Sequence, residues 1–110
     1  MQRIDQLLSH VWMVRAFLKH SDEAAEDEEL CEVHRGLYDY MLALGPAWKA
    51  QDPQAYLRMA HKKLARLRRA IELFVEIQPE VSSHTNFQMA ARSLQTALEE
   101  IQRLAQTPGD

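Results

Sequence analysis

The residues best suited to chemistry in this chain are five histidines, one cysteine and a run of bases. The histidines are His10, His20, His34, His61 and His84. If the chain folds back on itself near residue 22, His10 comes level with His34, and His61 lies about one helical turn away. Imidazoles gathered in one layer are how a helical bundle begins a metal site, so His10 and His34 are the candidate ligands. A full ligand set does not follow from the spacing. The Glu-x-x-His and His-x-x-x-His patterns that hold metals between helices are absent. His34 falls on an apolar stripe, His10 at the edge of one, and His61 on a polar side with Arg58 and Lys62. A hydrogen-bonded core histidine is the commoner origin of that pattern. Cys31 follows a run of acids, which disfavours the thiolate, and it reads as a small packing residue. No Gly-x-Ser-x-Gly, His-Glu-x-x-His or paired-cysteine motif occurs, and Glu72, Glu76, Glu99 and Glu100 fit solvated faces. The expectation is a chain with no catalytic residue and no cofactor.

The bases form a second candidate. Arg58, Lys62, Arg66 and Arg69, spaced by four, four and three, share one helical face and could grip phosphates. Thirteen Lys and Arg stand against sixteen Asp and Glu, a net charge of −3, which argues against a protein that coats nucleic acid. No Gly-rich loop or exposed aromatic series accompanies the stripe. Nucleic acid is therefore the lesser alternative. Residues 22–32 carry seven acids and no base, and residues 58–69 carry six bases and no acid. Acids suit a helix N-terminus through the macrodipole. A hairpin turning near residue 49 would set Glu32 level with Arg66 and Glu29 with Arg69. Such pairs select a neighbour and a register, although each exposed one is worth only about 0–1 kcal/mol.

Arg15 and His20 stand at the Arg-x4-His spacing, and in those six residues the chain resembles HEPN domains, small helical bundles that include ribonucleases. In that family the motif falls on a late helix with a polar residue after the arginine. Here it ends the first helix and Ala16 follows Arg15, so no catalytic role is carried over.

These residues must be positioned by helices. Between a few breaks the chain is built mostly from Ala, Leu, Glu, Gln, Arg, Lys and Met, all strong helix formers, and no period-two alternation of β-branched residues appears. Gly45-Pro46, Asp52-Pro53, Pro79 and Pro108-Gly109 mark breaks, and the polar run from His20 to Glu23 marks another. Ser21 or Asp22 could cap the second helix, Asp52 the third, and Ser82 or Ser83 the fourth. The spacing predicts helices over about 3–20, 23–45, 53–77 and 83–106. Each carries an apolar stripe at three- and four-residue intervals, for example Ile4, Leu7, Leu8, Val11 and Leu18 in the first. Short connections make neighbours antiparallel, so the expected fold is all-α: one domain spanning residues 1–110, an up-down-up-down four-helix bundle. Gly36, inside the second helix, reads as a close approach between helices or a tolerated cost, with space for a ligand beside His34 as the alternative.

At 110 residues the chain has room for one core, and 46% hydrophobic with 26% charged residues is a globular composition. One cysteine makes no internal disulfide, Asp5 interrupts any leader-like run, and no apolar stretch reaches about 18 residues. The expectation is a soluble cytoplasmic protein without a membrane partner. What the stripes leave over is the most informative feature. Trp12, Met13 and Phe17 lie off the first stripe, and Met59, Leu73 and Ile77 share a face away from Leu57 and Leu64. Aromatic residues and Met on an outer face mark interface cores. The expected function is a non-enzymatic module that pairs with a second copy, as a homodimer, or with another protein. A metal- or small-ligand-binding bundle centred on His34 and His10 is one alternative, and an RNA-associated domain using the third helix is the other.

Overall fold

Our computed structural model describes residues 1–23 and 27–105, and these form five α-helices with no strand among the described residues. They are α1 (Gln2–Lys19), α2 (Glu28–Lys49), α3 (Pro53–Lys62), α4 (Leu64–Val81) and α5 (Thr85–Ala105). Glu26 of the acidic run, Gln106 and the Pro108-Gly109 break lie outside the described residues. Among the described residues no helix is long and apolar enough to cross a membrane.

The all-α expectation holds, but the four-helix count does not. The predicted third helix is two helices, α3 and α4, interrupted at Lys63. The buried Tyr40 of α2 donates its hydroxyl to the Ala60 carbonyl at 2.8 Å. An unbroken helix would give that carbonyl to the Leu64 N–H. A long-range tyrosine contact, invisible in the local pattern, thus competes with the helix at the break.

The helix ends differ from expectation for equally local reasons. Asp52 caps α3 as predicted, accepting from the Ala55 N–H at 3.1 Å with Pro53 in the first turn. For α2 the cap is Asp27, not Ser21 or Asp22; its carboxylate accepts from the Leu30 N–H at 3.0 Å. At the start of α5 the His84 ring Nδ1 accepts from the Asn86 N–H at 3.0 Å, while the Ser82 hydroxyl accepts from the His84 N–H. Pro46 and Pro79 lie inside α2 and α4, so neither stops its helix. Instead α2 ends at Gln51, whose φ of 52° is left-handed. There the Gln51 N–H bonds the Trp48 carbonyl and the Asp52 N–H bonds the Ala47 carbonyl, the paired closure of a Schellman ending.

The α2–α4 and α1–α5 pairs are antiparallel. Between α2 and α4, Gly36 faces Ala70 and Asp39 pairs with Arg66 at 2.7 Å. Between α1 and α5, Arg3 meets Glu100 at 3.6 Å and Phe17 meets Phe87 edge-on at 5.2 Å between ring centroids. Because α2 runs on to Lys49, the α2–α4 register turns about residue 52 and not 49, which moves Arg66 from the expected Glu32 to Asp39. Arg69 shifts likewise away from Glu29. Leu30, Val33, Leu37, Leu67, Ile71 and Phe74 are fully buried along this seam, each such side chain worth about 1.5–3 kcal/mol.

Gly36 is required by packing. A Cβ placed there would lie 2.5 Å from the Ala70 Cβ, far inside contact distance. Gly36→Ala should therefore lose about 1–3 kcal/mol by overpacking, despite alanine's better helix propensity. Urea denaturation checks this, and Ala70→Gly in the same chain should recover part of the loss.

Candidate functional sites

The outer face of α1 follows from its phase. With Ile4, Leu7, Leu8, Val11 and Leu18 turned inward, Trp12, Met13 and Phe17 must face out; Met13 is 67% exposed and Trp12 47%. Phe17 is the least exposed of the three, at 38%, because its ring packs on Phe87. Met89 of α5 extends the same surface. The expected companions on the third helix lie elsewhere. Ile77 is buried in the core, and Met59 and Leu73 are half-buried against it. The interruption at Lys63 resets the helical phase, so an outward face read across 53–77 does not persist.

Two grooves flank Met13. One, of about 350 Å³, opens between α1 and α2 and is lined by Asp5, Trp12, Met41, Gly45, Trp48 and Tyr56 among others. The second, also about 350 Å³, lies between α1 and α5 with Phe17, Asn86 and Met89 on its walls. In the first groove the Trp48 and Tyr56 rings are 6.2 Å apart and tilted by 59°. The Tyr56 hydroxyl is buried with no hydrogen-bond partner among the described residues. Burial, and then the nearby Asp5 carboxylate, push that phenol above its ordinary range. Burial likewise raises the pKa of Asp5.

The histidines do not form the expected layer. Arg15 lies over Tyr38, and Leu8 shares a groove with Leu44, so α1 and α2 are offset from a turn at residue 22. That offset places His10 about two turns beyond His34. His34 sits level with Arg15 and Lys19, whose charges act on it, while His10 is exposed. Among the described residues no three His, Cys, Asp or Glu side chains converge as a metal site would need. The ring of His61, exposed as its polar phase implied, meets the Ala105 carbonyl through Nδ1 at 3.0 Å. Cys31 is exposed and not packed in the core.

The Arg15–His20 spacing does not build a paired site. The Arg15 guanidinium lies between two rings, 5.3 Å from the Trp12 centroid and 5.0 Å from that of Tyr38. Its Nε donates to the His34 carbonyl at 3.4 Å, whereas exposed His20 ends α1. The bases fare better. Lys62, Arg66 and Arg69, joined by Lys63, line a groove of about 560 Å³ against α2, with Asp39 and Leu42 on the facing side. Arg58 is exposed but is not part of that wall.

Set beside known protein families, curated proteins and solved structures, the chain matches none of them.

Both ring nitrogens of His34 are buried without a hydrogen-bond partner among the described residues. Burial, then Arg15 and Lys19, hold the imidazole below its ordinary value of 6.5. The unfolded chain therefore takes up this proton first, and the associated stability is lost as pH falls below about 6.5 towards the folded-state value. His34→Leu removes the unsatisfied nitrogens. It should add about 1 kcal/mol at pH 7.5 and lessen the loss of stability between pH 7.5 and 5. Denaturation curves of both proteins at the two pH values measure this.

Proposed function

We propose that this chain is a non-enzymatic interaction module of the cytoplasm that pairs through the outer face of α1, with a second copy or with another protein. The observation that carries this reading is Met13, two-thirds exposed between two apolar grooves and beside the half-exposed Trp12. A lone surface hydrophobe needs no explanation, but Trp12, Met13, Phe17 and Met89 together make a surface that water solvates poorly. Aromatic residues and Met at the centre, with grooves to receive them, are the anatomy of an interface core. In a symmetric pair each α1 would seat its Met13 in a groove of the other copy. The reading needs no catalytic residue or cofactor.

Met13→Glu tests it, because this exposed side chain contributes little to the fold. Light scattering after size exclusion should show a dimer for the wild type and a monomer for the variant. A wild type that stays monomeric at high concentration, with pull-down partners unchanged by Met13→Glu, would overturn the proposal.

The second reading, an RNA-associated domain, is favoured by one observation: Lys62, Lys63, Arg66 and Arg69 line a single groove. Arg66 is partly neutralised by Asp39, which leaves the other three bases for phosphates. This reading expects RNA binding that weakens with salt and falls at least about tenfold in Lys62→Glu/Arg69→Glu, measured by fluorescence anisotropy.

A further inference from the structure

We propose that the groove between α1 and α2 binds an alkylated ammonium ion, held by the Asp5 carboxylate and the indole rings of Trp48 and Trp12. The groove has the size of a small-ligand site and walls that are mostly apolar. Asp5 is the one charged residue on those walls. Its carboxylate makes no ion pair and accepts no hydrogen bond among the described residues, although it is half-buried. Close by, the Tyr56 hydroxyl is also buried and unpartnered. The unpartnered Tyr56 hydroxyl costs free energy in the folded chain, and the unpaired Asp5 carboxylate leaves a negative charge beside an apolar wall.

The ring geometry identifies the ligand's charge. Half-buried Trp48, backed by the buried Tyr56 ring, and half-exposed Trp12 bring indole surface to the groove, and electron-rich faces of this kind attract cations at close range. Trp12 already does so within the chain, with the Arg15 guanidinium over its ring. A neutral apolar ligand would leave Asp5 uncompensated. A metal ion would find one carboxylate and no second acidic, histidine or cysteine ligand on the walls. A primary ammonium would bring three N–H groups to a wall with few acceptors. An alkylated ammonium carries its charge under methyl groups, so it suits both the carboxylate and the rings.

Gly45 makes the site accessible. A Cβ there would meet nothing within 4 Å beyond its chain neighbours, so no tertiary contact requires a glycine, yet the residue lines the groove. Its missing side chain keeps the groove open. This also supplies a variant, Gly45→Leu, whose Cβ meets no tertiary neighbour and whose side chain narrows the groove.

The experiment is a titration of the full chain with choline, followed by tryptophan emission. The chain has two tryptophans, Trp12 and Trp48, and both line the groove. Choline should change the emission saturably. Its neutral carbon isostere, 3,3-dimethylbutan-1-ol, should bind at least about tenfold more weakly, and Asp5→Asn should weaken choline by a similar factor. Gly45→Leu, shown folded by circular dichroism, should abolish the response. A peptide bearing trimethyl-lysine, titrated alongside, distinguishes a modified side chain from a free ligand by which of the two binds more tightly. Phe17→Glu, outside the groove, should leave choline binding intact whatever it does to pairing, so this test and that of the α1 interface fail separately. No saturable response up to about 0.1 M choline or trimethyl-lysine peptide, equal binding of the neutral isostere, or a response surviving Gly45→Leu would each overturn the proposal.

Discussion

The contact between Gly36 and Ala70 sets the distance on which the rest of the packing depends. Two helices that touch through a glycine and an alanine lie closer than side chains of ordinary size would permit. That closeness lets Leu37, Leu67, Ile71 and Phe74 fill the seam completely. It also brings the Asp39 carboxylate to Arg66 at the surface. The ion pair follows from the packing and not the reverse, since half-exposed charges contribute little beside a sealed apolar seam.

Around that seam, the remaining helices are placed by contacts that override local preference. Tyr40 reaches from α2 to the Ala60 carbonyl, and the chain interrupts its third helical run one turn later. Gln51 takes a left-handed conformation usual for glycine, because the two closing hydrogen bonds at the end of α2 require it. Helix α1 then lies against α5 and α2 with its outer face uncovered, flanked by two grooves. The outward face and the grooves are thus two consequences of one placement.

The proposed sites differ in physical character. The α1 face is apolar and open, a surface whose removal from water is itself the driving force for pairing. The groove beside it is apolar but holds the Asp5 carboxylate and the Tyr56 hydroxyl, neither with a side-chain partner among the described residues. The basic groove across α3 and α4 is solvated, and its Arg66 is already engaged. Arg15, held between Trp12 and Tyr38, donates to the backbone carbonyl of half-buried His34. The histidine is then in an environment set by cations and burial, which suits a neutral imidazole.

Helical periodicity alone determined that the chain is all-helical, which stripes of α1, α2 and α5 turn inward, and that Trp12, Met13 and Phe17 face out, while the close approach at Gly36 was one of several readings until Ala70 was placed against it. The first three are properties of a single helix, and the spacing of side chains along the chain encodes them directly. Only the tertiary structure decided the interruption at Lys63, the burial of Ile77, the register that pairs Arg66 with Asp39, and the separation of His10 from His34. Each depends on where a helix ends and how far it slides past its neighbour, and an end shifted by four residues moves every partner by a full turn. The groove of Asp5, Trp48 and Tyr56 was illegible for the same reason. Its residues come from three helices, and nothing along the chain says that they meet.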